Sequence, residues 1–210
     1  MKYLDDDLRK SVRKILDDSS EIQDSCKTKR HLREWYTRDA RWKQIFGKND
    51  IGELSGFNIR LLNLLSQNQY KEKLKDEVFI DYQGGNGVFC LYLNTLGYNT
   101  YFHDMDSKEA RHLFSHFNLQ DKIINNRDDL FKNTPPFTVA MSLGWSLNDD
   151  LGDPITDIES LKYLILDGYG IYGTRRGSCK KTDTSGFSKI DTLSSHRRDV
   201  QILRIENYSD

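Results

Sequence analysis

The chain has 210 residues, 37% hydrophobic and 30% charged, with 31 lysines and arginines against 32 aspartates and glutamates for a formal charge of −1. That length suits one α/β domain with an appendage and is short for two independent domains. The absence of a basic excess counts against duplex DNA as a partner, and the absence of a run of about eighteen apolar residues counts against a membrane span.

Cys26, Cys90 and Cys179 are odd in number and far apart, so they make neither a disulfide framework nor a zinc spacing. The acidic opening Met1-Lys2-Tyr3-Leu4-Asp5-Asp6-Asp7 has no apolar signal-peptide core. A reducing cytoplasm is the expected location.

Residues 1–76 read as a helical cap, or lid, on an α/β unit spanning 77–210. Leu4, Leu8, Val12, Ile15 and Leu16 recur at helical spacing. A second stretch carries Leu32, Trp35, Tyr36, Trp42, Ile45 and Phe46, and a third is compactly apolar from Ile59 to Leu65. Polar and glycine-containing breaks separate them at 17–24 and 47–56. Residues 67–77 read as a charged connection.

The pattern changes at Val78. Val78-Phe79-Ile80 is a short apolar run ending in Asp81, followed by the turn Gln83-Gly84-Gly85-Asn86-Gly87. Val88 to Leu96 suits a buried helix closed by Gly97. Residues 98–102 suit a second strand ending at Asp104, and Ser107 opens a helix reaching about Phe117. A weak third strand is expected at 122–125, a fourth at 137–143, a fifth within 163–172, and a late alternating strand at 200–205. Strand alternating with helix predicts a mostly parallel sheet with helices on both faces. Ligands of such sheets bind at the carboxyl ends of the strands, where strand order reverses.

The glycine turn is the most informative segment. Glycines let a backbone approach a ligand closely, and the helix behind them directs free N–H groups at it. The dinucleotide fingerprint would need a third glycine or alanine where Cys90 stands. A carboxylate at the strand end, Asp81, also suits a pyrophosphate poorly and an ammonium-bearing ligand well.

Val78-Phe79-Ile80-Asp81-x-x-x-Gly85-x-Gly87 resembles motif I of the class I S-adenosylmethionine-dependent methyltransferases. Leu91 to Gly97 and Tyr98 to Asp106 continue the resemblance. Residues 137–143 look like that family's fourth strand and residues 164–172 like its fifth. The resemblance implies a Rossmann-like α/β fold and S-adenosyl-L-methionine as cofactor. Asp81 would anchor the methionine ammonium, directly or through water, while Gly85 and Gly87, with Gln83 and Asn86 beside them, form the loop against the cofactor. Asp104 would take the ribose hydroxyls, Met105 would pack on adenine, and Asp128 or Asp129 would reach the adenine amino group. Ser142 and Leu143 would line the methionine end. One departure stands in the motif: Gln83 occupies the position of the family's first glycine.

Trp145, Tyr36 and His196 are the candidates for an acceptor pocket; an aromatic face suits a sulfonium cation, and His196 could serve as a base toward a hydroxyl. The five histidines show no metal spacing, so no metal is expected. Asn133-Thr134-Pro135-Pro136-Phe137 resembles the Asn-Pro-Pro-Phe motif of amino methyltransferases but precedes the fourth strand instead of following it, and reads as a loop. The implied activity is methyl transfer to an oxygen or nitrogen of a small-molecule acceptor. The alternatives are a non-catalytic or regulatory protein on the same fold, a nicotinamide-dependent oxidoreductase, and an RNA methyltransferase, the last suggested by basic residues at 27–43 and 175–198.

Overall fold

The computed structural model describes residues 7–8, 10–11, 14–15, 56–85, 87–104, 108–143, 155–167, 181–193 and 199–206. Its centre is a six-stranded sheet of β1 (Val78–Tyr82), β2 (Asn99–His103), β3 (Val139–Ser142), β4 (Tyr163–Asp167), β5 (Phe187–Leu193) and β6 (Val200–Ile205), in the order β2-β1-β3-β4-β6-β5. The first four strands are mutually parallel, and β6 runs antiparallel between β4 and β5. Strand order reverses at β1, which has β2 on one side and β3 on the other. The carboxyl ends of those three strands therefore flank the crevice where sheets of this kind bind ligands.

Strands β1, β3 and β4 are near-continuous apolar runs because both of their faces are covered. On one face Phe79, Phe102, Val139, Met141 and Ile165 pack against α1 (Gly56–Leu65), α2 (Asn68–Leu74), α3 (Val88–Thr95) and α4 (Lys108–Ser115). Asp7, Leu8, Lys10, Ser11, Lys14 and Ile15 are helical, and Leu8 and Ile15, seven residues apart on one helical face, pack on this same core. On the other face Ile80, Tyr82, Ala140 and Leu164 pack against Leu130, Ile155 and Ile158. Among the described residues that face is covered by the 3-10 turns Arg127–Lys132 and Ile155–Asp157 in place of longer helices.

Several elements differ from the sequence expectation. The charged connection contains α2, whose polarity hides two buried anchors, Tyr70 and Leu74, at the i,i+4 spacing that shares a helical face. The third strand shrinks to one parallel bridge, Phe102 with Ile123, because the 3-10 turn Gln120–Lys122 precedes it and Asn125-Asn126 follow only two isoleucines. The fourth strand starts at Val139 rather than residue 137, since Thr138 spends its Oγ1 on the Val78 N–H at 2.9 Å. β5 was not foreseen: it lies at the sheet edge, only partly buried, and a bulge between Lys189 and Asp191 breaks its alternation. Asn133-Pro135 does form a loop, with the Asn133 amide donating to the Pro135 carbonyl at 2.6 Å. Among the described residues no helix is long and apolar enough to cross a membrane.

Candidate functional site

Alternation along β1 sends Phe79 and Asp81 to the helix-covered face, with Asp81 in register with Phe102 on β2 and Met141 on β3. The carboxyl of Asp81 is 2% exposed, and its Oδ2 has no hydrogen-bond partner. Burial first, and the charge of Asp104 second, push its pKa up to about 7. A buried carboxyl with an unsatisfied oxygen is costly to keep ionised, so it holds its proton to a pH well above the ordinary aspartate range.

The glycine turn lies directly on this carboxyl. The Gln83 and Gly84 N–H groups both donate to the His103 carbonyl, at 2.7 and 3.3 Å, lashing the end of β1 to the end of β2. The Gly85 N–H donates to Asp104 Oδ2 at 2.9 Å. A Cβ on Gly84 would stand 2.6 Å from Asp81 Oδ2 and 2.9 Å from the Phe102 ring, so the close approach requires glycine. Gly87, at φ 76°, precedes α3, and a Cβ there would stand 2.8 Å from the Ala110 Cβ of α4. Gly85, at φ 66°, faces open space. Gln83 has φ 56°: where the family motif has its first glycine, this chain keeps the left-handed backbone that glycine favours and carries a side chain on it.

The structure thus brings Asp81, Gln83, Gly84, Gly85, Gly87 and Asp104 together at the point where strand order reverses. Leu143, just past β3, packs on the helix-side core. Ser142, fully buried with its Oγ unpartnered, shares the opposite face with Ala140 by strand alternation. Asp128 and Asp129 are exposed on the 3-10 turn after the Ile123 bridge, a turn opened by Asn126, whose side chain accepts the Asp128 N–H at 3.3 Å. Asn86, Met105, Tyr36, Trp145 and His196 lie outside the described residues.

Sequence reasoning missed the far side of this edge. Tyr82 and His103, paired in register, stack with ring centroids 5.5 Å apart. The His103 Nδ1–H donates to the Ile124 carbonyl at 2.9 Å, and Arg127 Nε donates to the Tyr82 hydroxyl at 3.3 Å. This group props the ends of β1 and β2 from the face opposite Asp81. The available signal was positional: one residue past Asp81 and one before Asp104 must point the other way.

Among the described residues no group of three or more histidine, cysteine, aspartate or glutamate side chains could hold a metal. A cavity of about 400 Å³, lined by Leu130, Phe131, Phe137, Asp157, Ile158 and Glu159, opens among residues that precede β3 and β4, away from the carboxyl ends that carry Asp81 and Asp104.

A parallel sheet closed by a reversed strand inserted between its last two neighbours, with an acidic strand end under a glycine turn, is the class I methyltransferase form of the Rossmann-like fold. The dinucleotide-binding form instead runs its strands in the order 3-2-1-4-5-6. Compared by structure, the chain is similar to the magnesium protoporphyrin IX methyltransferase of Synechocystis PCC 6803 with bound SAH, at TM-score 0.51 and 15% identity, covering 84% of this chain and 98% of that one. It is also similar to yhhF, a candidate methyltransferase from Escherichia coli, at TM-score 0.52 and 13% identity, covering 76% of this chain and 90% of that one. The likeness is one of fold. By sequence, no family model and no curated protein matches the chain.

Alanine at the loop glycines should destabilise in an order the geometry dictates. Gly87→Ala meets both left-handed strain and the Ala110 contact, and should lose about 2–4 kcal/mol. Gly84→Ala meets the Asp81 carboxyl and should lose about 1–3 kcal/mol, while Gly85→Ala, strained but uncrowded, should lose about 1 kcal/mol. Gln83→Gly should gain about 1 kcal/mol by relieving the strain. Urea midpoints of the four variants, read at constant m, check the ranking.

The folded pKa of Asp81 is raised above its unfolded value, so its contribution to stability is fully present below about pH 4 and is lost as pH rises toward 7. Relative to an Asp81→Asn variant, the parent chain should lose about 1.4 kcal/mol per pH unit across that window and level off above it. Parallel denaturation curves from pH 4 to 8 measure the difference; a flat difference contradicts the raised pKa.

Proposed function

We propose that the chain is an S-adenosylmethionine-dependent methyltransferase acting on an oxygen or nitrogen of a small-molecule acceptor in the cytoplasm. The observation that carries this reading is the pair of carboxyl groups, Asp81 and Asp104, at neighbouring strand ends, with a glycine turn pressed onto the first and hydrogen-bonded to the second.

The residues fit the cofactor on three counts. The Oδ2 of Asp81 is buried and lacks a partner, which suits an ammonium brought to it directly or through a water. Asp104 is held by the Gly85 N–H through one oxygen, an arrangement that presents a fixed carboxylate to the two ribose hydroxyls. Gly85 faces open space, so its backbone can lie against a ligand. In the same reading Asp128 or Asp129 meets the adenine amino group, Met105 packs on the adenine, and Leu143 bounds the methionine end, whereas Ser142, buried on the opposite face of the sheet, drops out of it. Gln83 and Asn86 flank the loop, and Trp145, Tyr36 and His196 belong to the acceptor side.

S-adenosylmethionine supplies a methyl group already activated by its sulfonium. The protein is therefore left chiefly with orienting the reactants and excluding water, so the site needs no acid–base dyad of its own. A formal charge of −1 favours a small acceptor over RNA, whose backbone is usually met by a basic surface.

Calorimetric titration with S-adenosylhomocysteine should give saturable binding, and Asp104→Asn should weaken it by roughly 10- to 100-fold, as expected for loss of charge-assisted hydrogen bonds. Absence of heat with millimolar ligand would overturn the cofactor assignment. Binding without methyl transfer to any acceptor would favour a regulatory protein on this fold.

A further inference from the structure

The turn Arg127–Lys132 bears the two acids read as the adenine contact, yet little of its own structure fixes them. It is a 3-10 turn, whose hydrogen bonds are poorly aligned, and Leu130 alone of its residues is buried. Asp128 and Asp129 are exposed, and among the described residues neither carboxylate takes part in a hydrogen bond or an ion pair. Helix α4 separates them in sequence from Asp104, so chain connectivity does not set their distance from the ribose acid. Side chains on the far face of the sheet do. One residue before Asp128, Arg127 donates from Nε to the Tyr82 hydroxyl at 3.3 Å. Tyr82 is 1% exposed and stacks on His103 with the ring planes 15° apart. His103 then holds both sides of the edge. Its carbonyl takes the Gln83 and Gly84 N–H groups, its Nδ1–H donates to the Ile124 carbonyl ahead of the turn, and the next residue in the chain is Asp104. The Ile124 N–H in turn donates to the Phe102 carbonyl at 2.8 Å. Glycine loop, ribose acid and adenine turn are all tied to one stacked pair of rings.

We propose that Arg127, Tyr82 and His103 are positioning residues for base recognition, holding the Asp128–Asp129 turn in register with Asp104 so that the site takes a 6-amino purine nucleoside and rejects a 6-oxo one. The inference rests on the reading of this edge as a site for an adenosyl amino acid, with Asp128 or Asp129 at the adenine amino group. A carboxylate accepts a hydrogen bond from that amino group. A 6-oxo purine presents an acceptor there and carries its N–H one ring position away, at N1. A carboxylate held in place meets oxygen and is left without a partner, whereas one free to shift can pair with the N1–H instead. Rigidity of the turn therefore supplies the discrimination, by preorganising the contact to adenine and by denying the adjustment that the wrong base needs. In this role the three residues act through the acids and not on the reacting atoms.

The test is calorimetry on the full chain with S-adenosylhomocysteine and S-inosylhomocysteine, which differ only in the purine 6-position and its N1 proton. The parent chain should prefer S-adenosylhomocysteine roughly 10- to 100-fold. Tyr82→Phe keeps the stacked ring and removes the hydroxyl, and Arg127→Gln removes the guanidinium; each should cut that preference about fivefold, as expected for one lost hydrogen bond. The double variant should lose no more than the larger single loss, because the two changes remove one shared interaction. A merely structural role would weaken both ligands in parallel; an unchanged preference in the variants overturns the proposal and leaves the cofactor site standing. Additive losses in the double variant overturn the link between Arg127 and Tyr82. Equal affinity of the parent chain for the two ligands overturns base reading by the acids, and the proposal with it, while the cofactor site still stands. Failure of the parent chain to bind either ligand overturns the site reading itself. Tyr82→Phe, the milder change, decides the matter alone if Arg127→Gln does not fold.

Discussion

A carboxyl group shut inside the protein beneath a backbone is the constraint around which the carboxyl edge of the sheet is arranged. Asp81 is on a central strand, flanked by β2 and β3, and so cannot turn toward water. The loop above it passes directly over the carboxyl. Gly84 is needed there because any side chain would collide with the carboxyl and the Phe102 ring. The loop then reverses within a few residues, with left-handed backbone at the alternate positions Gln83, Gly85 and Gly87. The N–H groups released by that reversal are taken by the His103 carbonyl and the Asp104 carboxylate. One buried acid thus sets the loop path, the start of α3 and the attachment of the second acid.

The two faces of the sheet serve this edge differently. The helix-covered face carries the carboxyls and the loop. The other face carries a support in which Arg127, Tyr82, His103 and the Ile124 carbonyl form a continuous contact chain. That chain joins the ends of β1 and β2 to the turn bearing Asp128 and Asp129. A shift in this turn would therefore be felt by the strand ends behind Asp81 and Asp104, through hydrogen bonds and ring stacking rather than through the loop itself. Packing at both faces converts two flexible strand ends into a fixed pair of acids.

Much of this was legible in residues whose chemistry is local. The apolar run Val78-Phe79-Ile80, the acid that ends it and the glycines that follow declare a strand, a turn and a helix without reference to the rest of the chain. The same holds for Asn99–His103 and Val139–Ser142. What was not legible depends on partners distant in sequence. α2 is polar along most of its length and is held by Tyr70 and Leu74, with the Tyr70 hydroxyl reaching Asp191 on β5. β5 owes its existence to pairing with β6, and its bulge removes the alternation that would have announced it. The short third strand fails because Ile123-Ile124 give it only one bridge to β2. At the site, the spacing of Asp81 and Asp104 was readable, whereas the sealing of Asp81 under Gly84 is a tertiary contact that no spacing discloses.

In the proposed function the loop over Asp81, tied to Asp104, is where an adenosyl amino acid is held. Titration of isotopically labelled chain with S-adenosylhomocysteine, followed by backbone amide chemical shifts, tests it residue by residue. The largest shifts are expected at Gly84, Gly85 and Gly87 and at Asp104, with those around Phe131 and Asp157 unmoved. Shifts centred on the Phe131 cavity, with the glycine loop silent, would contradict it.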